Sequence, residues 1–215
     1  MNTLSDKYRY IVVEGPIGVG KTSLAKRLAS HLNAVTLFEA PEENPFLSNF
    51  YKDQQRHALS TQLFFLFQRA NQVAELKQHD MFNQAHVVDF LLEKDPLFAR
   101  LTLDDNEFQL YSQIYQHLKV QAPLPDLVIY LQAPVDMLMD RIQRRGIKME
   151  RAITEDYLHR LAESYTQFFY KYDATPLLIV NSANLNFVDQ DTDFELLLEH
   201  MGRLRGVREF FNKAA

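Results

Sequence analysis

Cysteine is missing altogether from the 215 residues. That excludes a disulfide framework and any thiolate-bound metal, and it fits a reducing compartment. A basic excess is missing too: 23 Lys and Arg stand against 28 Asp and Glu, for a formal net charge of −5. A surface that neutralises nucleic-acid backbones carries the opposite balance, so no nucleic-acid partner is expected. No apolar run reaches the length of a membrane span, and the opening "MNTLSDKYRY" lacks the apolar centre of a signal peptide. The expectation is a cytoplasmic protein without a membrane partner. Internal repeats, low-complexity stretches and linkers are also lacking, so residues 1–215 read as one domain.

What is present is an ordinary globular composition, 47% hydrophobic and 24% charged, which can bury a sizeable core. Five short β-branched or aliphatic runs recur: "YRYIVVEG", "AVTLFEA", "AHVVDF", "DLVIYLQ" and "PLLIVN". Longer segments with helical spacing separate them. This alternation predicts an α/β fold, a five-stranded parallel sheet with right-handed crossovers and helices on both faces. The runs are apolar on both sides, as strands covered on both faces should be. Arg56 to Gln78 reads as a long helix on which Leu63, Phe64, Phe65, Leu66 and Phe67 leave no polar face. Such a helix is buried within the subunit or packs against another one. Asp104 to Gln121 reads as a second helix, with an aromatic stripe assigned to the core.

"EGPIGVGKTSL" follows the first run directly. Gly15, Gly18, Gly20, Lys21 and Thr22 satisfy G-x-x-x-x-G-K-T, with a strand before and a helix after. Glycines let the loop turn so that backbone N–H groups point inward, and the helix N-terminus adds partial positive charge. The loop through Val19 and on to Ser23 is therefore expected to hold the phosphates of ATP. Lys21 would sit on the β- and γ-phosphates and the Thr22 hydroxyl on Mg²⁺. Such loops serve GTPases, ATPases and small-molecule kinases alike, so the acceptor is left open.

The second run leads into "LFEAPEENPFLSNFY". An acidic side chain at the carboxyl end of a strand beside the phosphate-loop strand lies near the γ-phosphate. Glu39 could then accept a proton from an attacking hydroxyl; a solvated loop glutamate is the competing reading.

From the phosphate loop to about Phe187 the chain resembles the deoxynucleoside kinase family. "FEAPEENPFLSNFY" is similar to the family's E-P-V segment with N-P-F-L and an aromatic pair. "QLFFLFQR" carries its glutamine and arginine, "PDLVIYLQAP" the strand before its lid, "RIQRRGIKMERAI" the lid itself, and "NLNFV" the loop over the adenine. The resemblance implies a P-loop kinase fold with an arginine-rich lid, and a homodimer paired through helices. It implies transfer of the γ-phosphate of ATP, with Mg²⁺, to the 5′-hydroxyl of a deoxynucleoside in nucleotide salvage. By the same resemblance Glu39 is the catalytic base, and Tyr51 and Glu150 bind the 3′-hydroxyl. Gln62 and Arg69 then read the base, and Asp95 falls at the family's substrate-reading aspartate. Asp89 is expected near Mg²⁺, and Arg141 and Arg145 match lid arginines. Residues 62 and 69 also share a helix face by spacing alone, and an amide with a guanidinium can read a base edge in plane. Arg69 with Asp95 suits a purine or cytosine better than thymine. Arg141, Arg144, Arg145, Lys148 and Arg151 crowd one short segment, which suits phosphoryl transfer, although a solvated basic face would look the same.

The chain departs from the family at two places. Phe90 stands where an arginine follows the acidic residue, and Ile147 where the lid has its second arginine. Lys94, one turn beyond Phe90, could supply a charge. These departures keep in view a catalytically weak nucleotide-binding regulator. A nucleoside monophosphate kinase, which shares the fold, is the other alternative, although Glu39 would repel its acceptor phosphate.

Overall fold

In the computed structural model, residues 4–78, 84–118 and 123–213 are described; the predicted end of the second helix, 119–121, lies outside them. The chain runs α1 (Leu4–Lys7), β1 (Tyr10–Glu14), α2 (Lys21–Leu32), β2 (Val35–Leu37), α3 (Leu47–Phe50), α4 (Gln54–Gln78) and β3 (His86–Val88). It continues through α5 (Asp95–Thr102), α6 (Asp105–Leu118), β4 (Leu127–Gln132), α7 (Val135–Arg145), α8 (Glu155–Lys171), β5 (Leu177–Asn181), α9 (Asp191–Arg203) and β6 (Arg208–Asn212).

The strands form one parallel sheet in the order β2-β3-β1-β4-β5-β6. Val12 of β1 sits opposite Val88 on one side and Val128 on the other, and all three are fully buried. The chain winds to one side of β1 for β2 and β3 and to the other for β4 to β6. Loops at the carboxyl end of β1 therefore diverge, which opens a crevice there.

Six strands replace the five expected. The sixth, "REFFN", pairs Phe210 with Ile179 of β5 at the sheet edge, where its residues alternate between exposed and half-buried. An edge strand lacks the continuous apolar run that marks a covered one. β2, at the other edge, is exposed for the same reason rather than apolar on both faces. It also lies one strand away from β1, with β3 between them.

The long helix α4 is not apolar all round. Thr61, Gln62 and Arg69 are buried on it, while Phe67 is 48% exposed and Phe65 packs against the core. Polar side chains are turned inward here because a cavity, not core, faces them.

Candidate active site

The loop after β1 is built on glycine. Gly15 has φ 149°, and a Cβ there would meet the Leu131 carbonyl oxygen at 2.5 Å; Gly18 has φ 83°, with the Leu138 carbonyl oxygen at 2.8 Å. No L side chain fits either place, so the loop can press against β4 and α7 only with this sequence. Gly15 anchors the turn, and Gly18, Val19, Gly20, Lys21, Thr22 and Ser23 line a cavity of about 880 Å³. Lys21 folds back, its Nζ donating to the Gly15 and Pro16 carbonyls at 2.8 and 3.3 Å. Burial, then the nearby Lys94, push its pKa down.

The lid arginines Arg141, Arg144 and Arg145 form another wall of that cavity, and the loop Ser182–Gln190, which includes "NLNFV", a third. Arg141 is tied down: Nη1 donates to the Val19 carbonyl at 3.2 Å and Nη2 to the Ser182 carbonyl at 2.9 Å. Arg144 pairs with Asp140 one turn earlier on α7, and Arg145 reaches both oxygens of Glu150 at 2.5 and 2.7 Å. Lys148 and Arg151 are exposed. The residue after β6 supports the loop: Lys213 pairs with Asp193 at 2.5 Å, and Asp193 accepts from the Asn186 amide at 2.8 Å.

Asp89 follows β3 and connects two regions. Its Oδ2 accepts from the Thr22 hydroxyl at 2.5 Å, and its Oδ1 accepts from the Glu39 backbone amide at 2.8 Å. Burial, then the Glu39 charge, push the Asp89 carboxyl up. No group of three or more His, Cys, Asp or Glu able to hold a metal is found among the described residues. Thr22 and Asp89 nevertheless fit Mg²⁺, a hard cation that takes oxygen ligands, keeps several waters and uses few protein groups beside phosphates.

A second cavity, of about 130 Å³, opens beyond Asp89. Glu39, Tyr51, Gln62, Arg69 and Glu150 all line it, with Lys94, Phe65 and Phe98; Arg145 and Lys21 belong to both cavities. Five residues from α4, the lid and the segment after β2 thus line one cavity. Arg69 donates through Nε to Glu39 Oε1 at 2.7 Å, and its Nη2 lies 2.6 Å from the same oxygen. Its Nη1 pairs with Asp95. Asp95 is fully buried behind Arg69 and does not line the cavity; Tyr111 donates to it at 2.6 Å. Gln62 Nε2 donates to the Thr102 hydroxyl at 3.2 Å, which in turn donates to the Phe98 carbonyl at 2.8 Å. Burial, then Tyr157 and Glu150, raise the Tyr51 hydroxyl well above its ordinary value. Burial pushes the Glu39 carboxyl up, but Arg69, Lys94 and Lys21 outweigh it and hold the group at about 2.

Phe90 turns into the core at 1% exposure, and Ile147 is 36% exposed. Lys94, by contrast, is brought to the site. Its Nζ lies 2.9 Å from Glu14 Oε1, 3.2 Å from the Tyr165 hydroxyl and 3.5 Å from Glu39 Oε1. Sequence reasoning missed Glu14, Tyr165, Thr102 and Tyr111. Glu14 alone left a signal: an acidic residue ending an otherwise apolar strand.

The sequence model described as deoxynucleoside kinase matches residues 11–204. The chain belongs to the deoxynucleoside kinase family. It is therefore an enzyme, a kinase of deoxynucleosides that uses ATP, and neither a monophosphate kinase nor a catalytically weak nucleotide-binding regulator is favoured. Among its relatives is a deoxyguanosine kinase of Bacillus subtilis, 32% identical, over 91% of this chain and 97% of that protein. A deoxyadenosine kinase of Lactobacillus acidophilus is 31% identical, over 92% and 97%. Among solved structures, the deoxyadenosine kinase of M. mycoides with products dCMP and a flexible dCDP bound superposes with a TM-score of 0.79 at 26% identity, over 91% of this chain and all of that one.

Proposed function

We propose that the enzyme transfers the γ-phosphate of ATP to the 5′-hydroxyl of a purine deoxynucleoside or deoxycytidine, in nucleotide salvage. One observation carries the assignment of the two cavities. Asp89 bonds the Thr22 hydroxyl of the phosphate loop with one oxygen and the Glu39 backbone with the other, so the two sides meet at one carboxylate.

On this reading the 5′-oxygen forms its bond to the γ-phosphorus, the bond to the β–γ bridging oxygen breaks, and ADP leaves. Glu39 orients the hydroxyl and receives its proton. A carboxylate held at about 2 is a weak base, but phosphoryl transfer through a loose transition state asks for positioning more than for early deprotonation. Lys21 leaves the loop carbonyls for the β- and γ-phosphates, which relieves one of the cations that depress Glu39. Thr22 and Asp89 would hold Mg²⁺, which supplies charge neutralisation on the phosphates. Arg141 and Arg145 form the lid side of the donor site. Tyr51 and Glu150 bind the 3′-hydroxyl, Gln62 and Arg69 read the base, and Asp95 holds Arg69 in place. The relatives named for different bases, deoxyguanosine and deoxyadenosine, support a purine first.

The test is turnover of the four deoxynucleosides with γ-labelled ATP. Label should pass to deoxyadenosine, deoxyguanosine or deoxycytidine in preference to thymidine; a thymidine preference would contradict the assigned roles of Gln62 and Arg69. We further read the chain as one domain and a cytoplasmic homodimer that pairs through α4 and α6, where Phe67 and Leu110 are each 48% exposed. Sedimentation at micromolar concentration checks the dimer.

A further inference from the structure

The geometry points to Lys94 as a positioning residue of the transfer: its buried ammonium ties Glu39 to Glu14, the carboxylate that holds the first amide of the phosphate loop. The inference rests on the reading of Glu39 as the acceptor-side carboxylate. Lys94 is 1% exposed yet lines the acceptor cavity. It reaches Glu14 Oε1 at 2.9 Å and Glu39 Oε1 at 3.5 Å. Glu14 in turn accepts from the Gly15 amide at 3.0 Å. A line of contacts thus runs from the start of the phosphate loop, through Glu14 and Lys94, to Glu39.

A plain counterion for Glu14 would need none of this. Glu14 already accepts from the Leu91 amide at 2.7 Å, the Gly15 amide at 3.0 Å and the Tyr165 hydroxyl at 3.1 Å. Three donors satisfy a buried carboxylate without an ammonium. Glu39, for its part, is not short of a cation, because Arg69 already holds it. What Lys94 adds is direction. Arg69 Nε, Arg69 Nη2 and Lys94 Nζ all approach the same oxygen, Oε1. Two cations from different elements therefore hold one and the same carboxylate oxygen. Rings fix the ammonium as well, Phe98 at 5.3 Å and Tyr165 at 5.8 Å from it. Misplacing a reacting group by an ångström costs on the order of a hundredfold in rate.

The test compares wild type with Lys94→Met, Lys94→Arg and the double variant Glu14→Gln with Lys94→Met. Steady-state kinetics at neutral pH are measured for each, separating kcat from nucleoside KM, beside a melting curve. Lys94→Met is expected to lower kcat about a hundredfold, with nucleoside KM changed far less, and Lys94→Arg to recover part of the loss. The double variant removes both members of the buried Lys94–Glu14 pair, so it separates folding from function: it should melt near wild type and stay slow. A double variant that turns over near the wild-type rate, or a Lys94→Met whose loss falls on nucleoside KM rather than on kcat, overturns the inference. Loss of labelled product in wild type itself would instead overturn the assignment of the site.

Discussion

The acceptor and donor sides of this molecule hold their charges in opposite ways. Beside Glu39, the ionic groups interlock out of water: Arg69 is 4% exposed, Lys94 1%, and Asp95 and Glu14 fully buried. On the donor side Arg144 is local and wet, 75% exposed and paired with Asp140 on its own helix, although Arg141 is tied to the Val19 and Ser182 carbonyls. Buried charges are costly to bring together and costlier to break singly, so the acceptor side is set before substrate arrives. Exposed pairs contribute little and rearrange freely, which suits a segment that closes over phosphates. On the proposed assignment of the two cavities, the fold prearranges the nucleophile's side and leaves the triphosphate's side to adjust.

Three substitutions test this contrast. Asp95→Leu should be the most damaging, because it strips Arg69 of one buried partner and Tyr111 of its acceptor. Destabilisation of about 3 kcal/mol is expected, roughly 10 °C in melting temperature, with activity lost alongside; a melting temperature near wild type would mean the acceptor side is not interlocked. Lys21→Ala should separate the two properties. Its contacts are loop carbonyls, so turnover should drop about a hundredfold to a thousandfold while thermal unfolding stays put. Early melting without ligand would make Lys21 structural. Arg144→Ala should do least: no change in melting and less than about a threefold change in ATP KM, since an exposed i,i+4 pair is easily given up. A large rise in ATP KM would show that the exposed arginine grips phosphate after all.

The donor side was the more legible in the sequence. Its loop is contiguous, and Gly15, Gly18 and Gly20 are demanded by backbone geometry that glycine alone satisfies. Gln62 and Arg69 were legible because helical spacing puts both on one face. Glu14, Lys94 and Tyr165 were not readable as a group, for they come from a strand, a turn and a distant helix that only folding brings together. β6 escaped because an edge strand need not be apolar. The reading of α4 as apolar on every side failed for a related reason: its inward polar residues face a cavity that no local pattern announces.

The most direct measurement is turnover by Glu39→Gln, with deoxynucleoside binding followed by calorimetry on the same samples. The amide keeps the size and one acceptor but cannot take the proton at neutral pH. The rate should fall about a hundredfold to ten-thousandfold, while binding weakens far less, since Tyr51, Gln62, Arg69 and Glu150 also line the cavity. If Glu39→Gln phosphorylates a deoxynucleoside at near the wild-type rate, the carboxylate does not serve the 5′-hydroxyl, and the acceptor side is not the prearranged half of this enzyme.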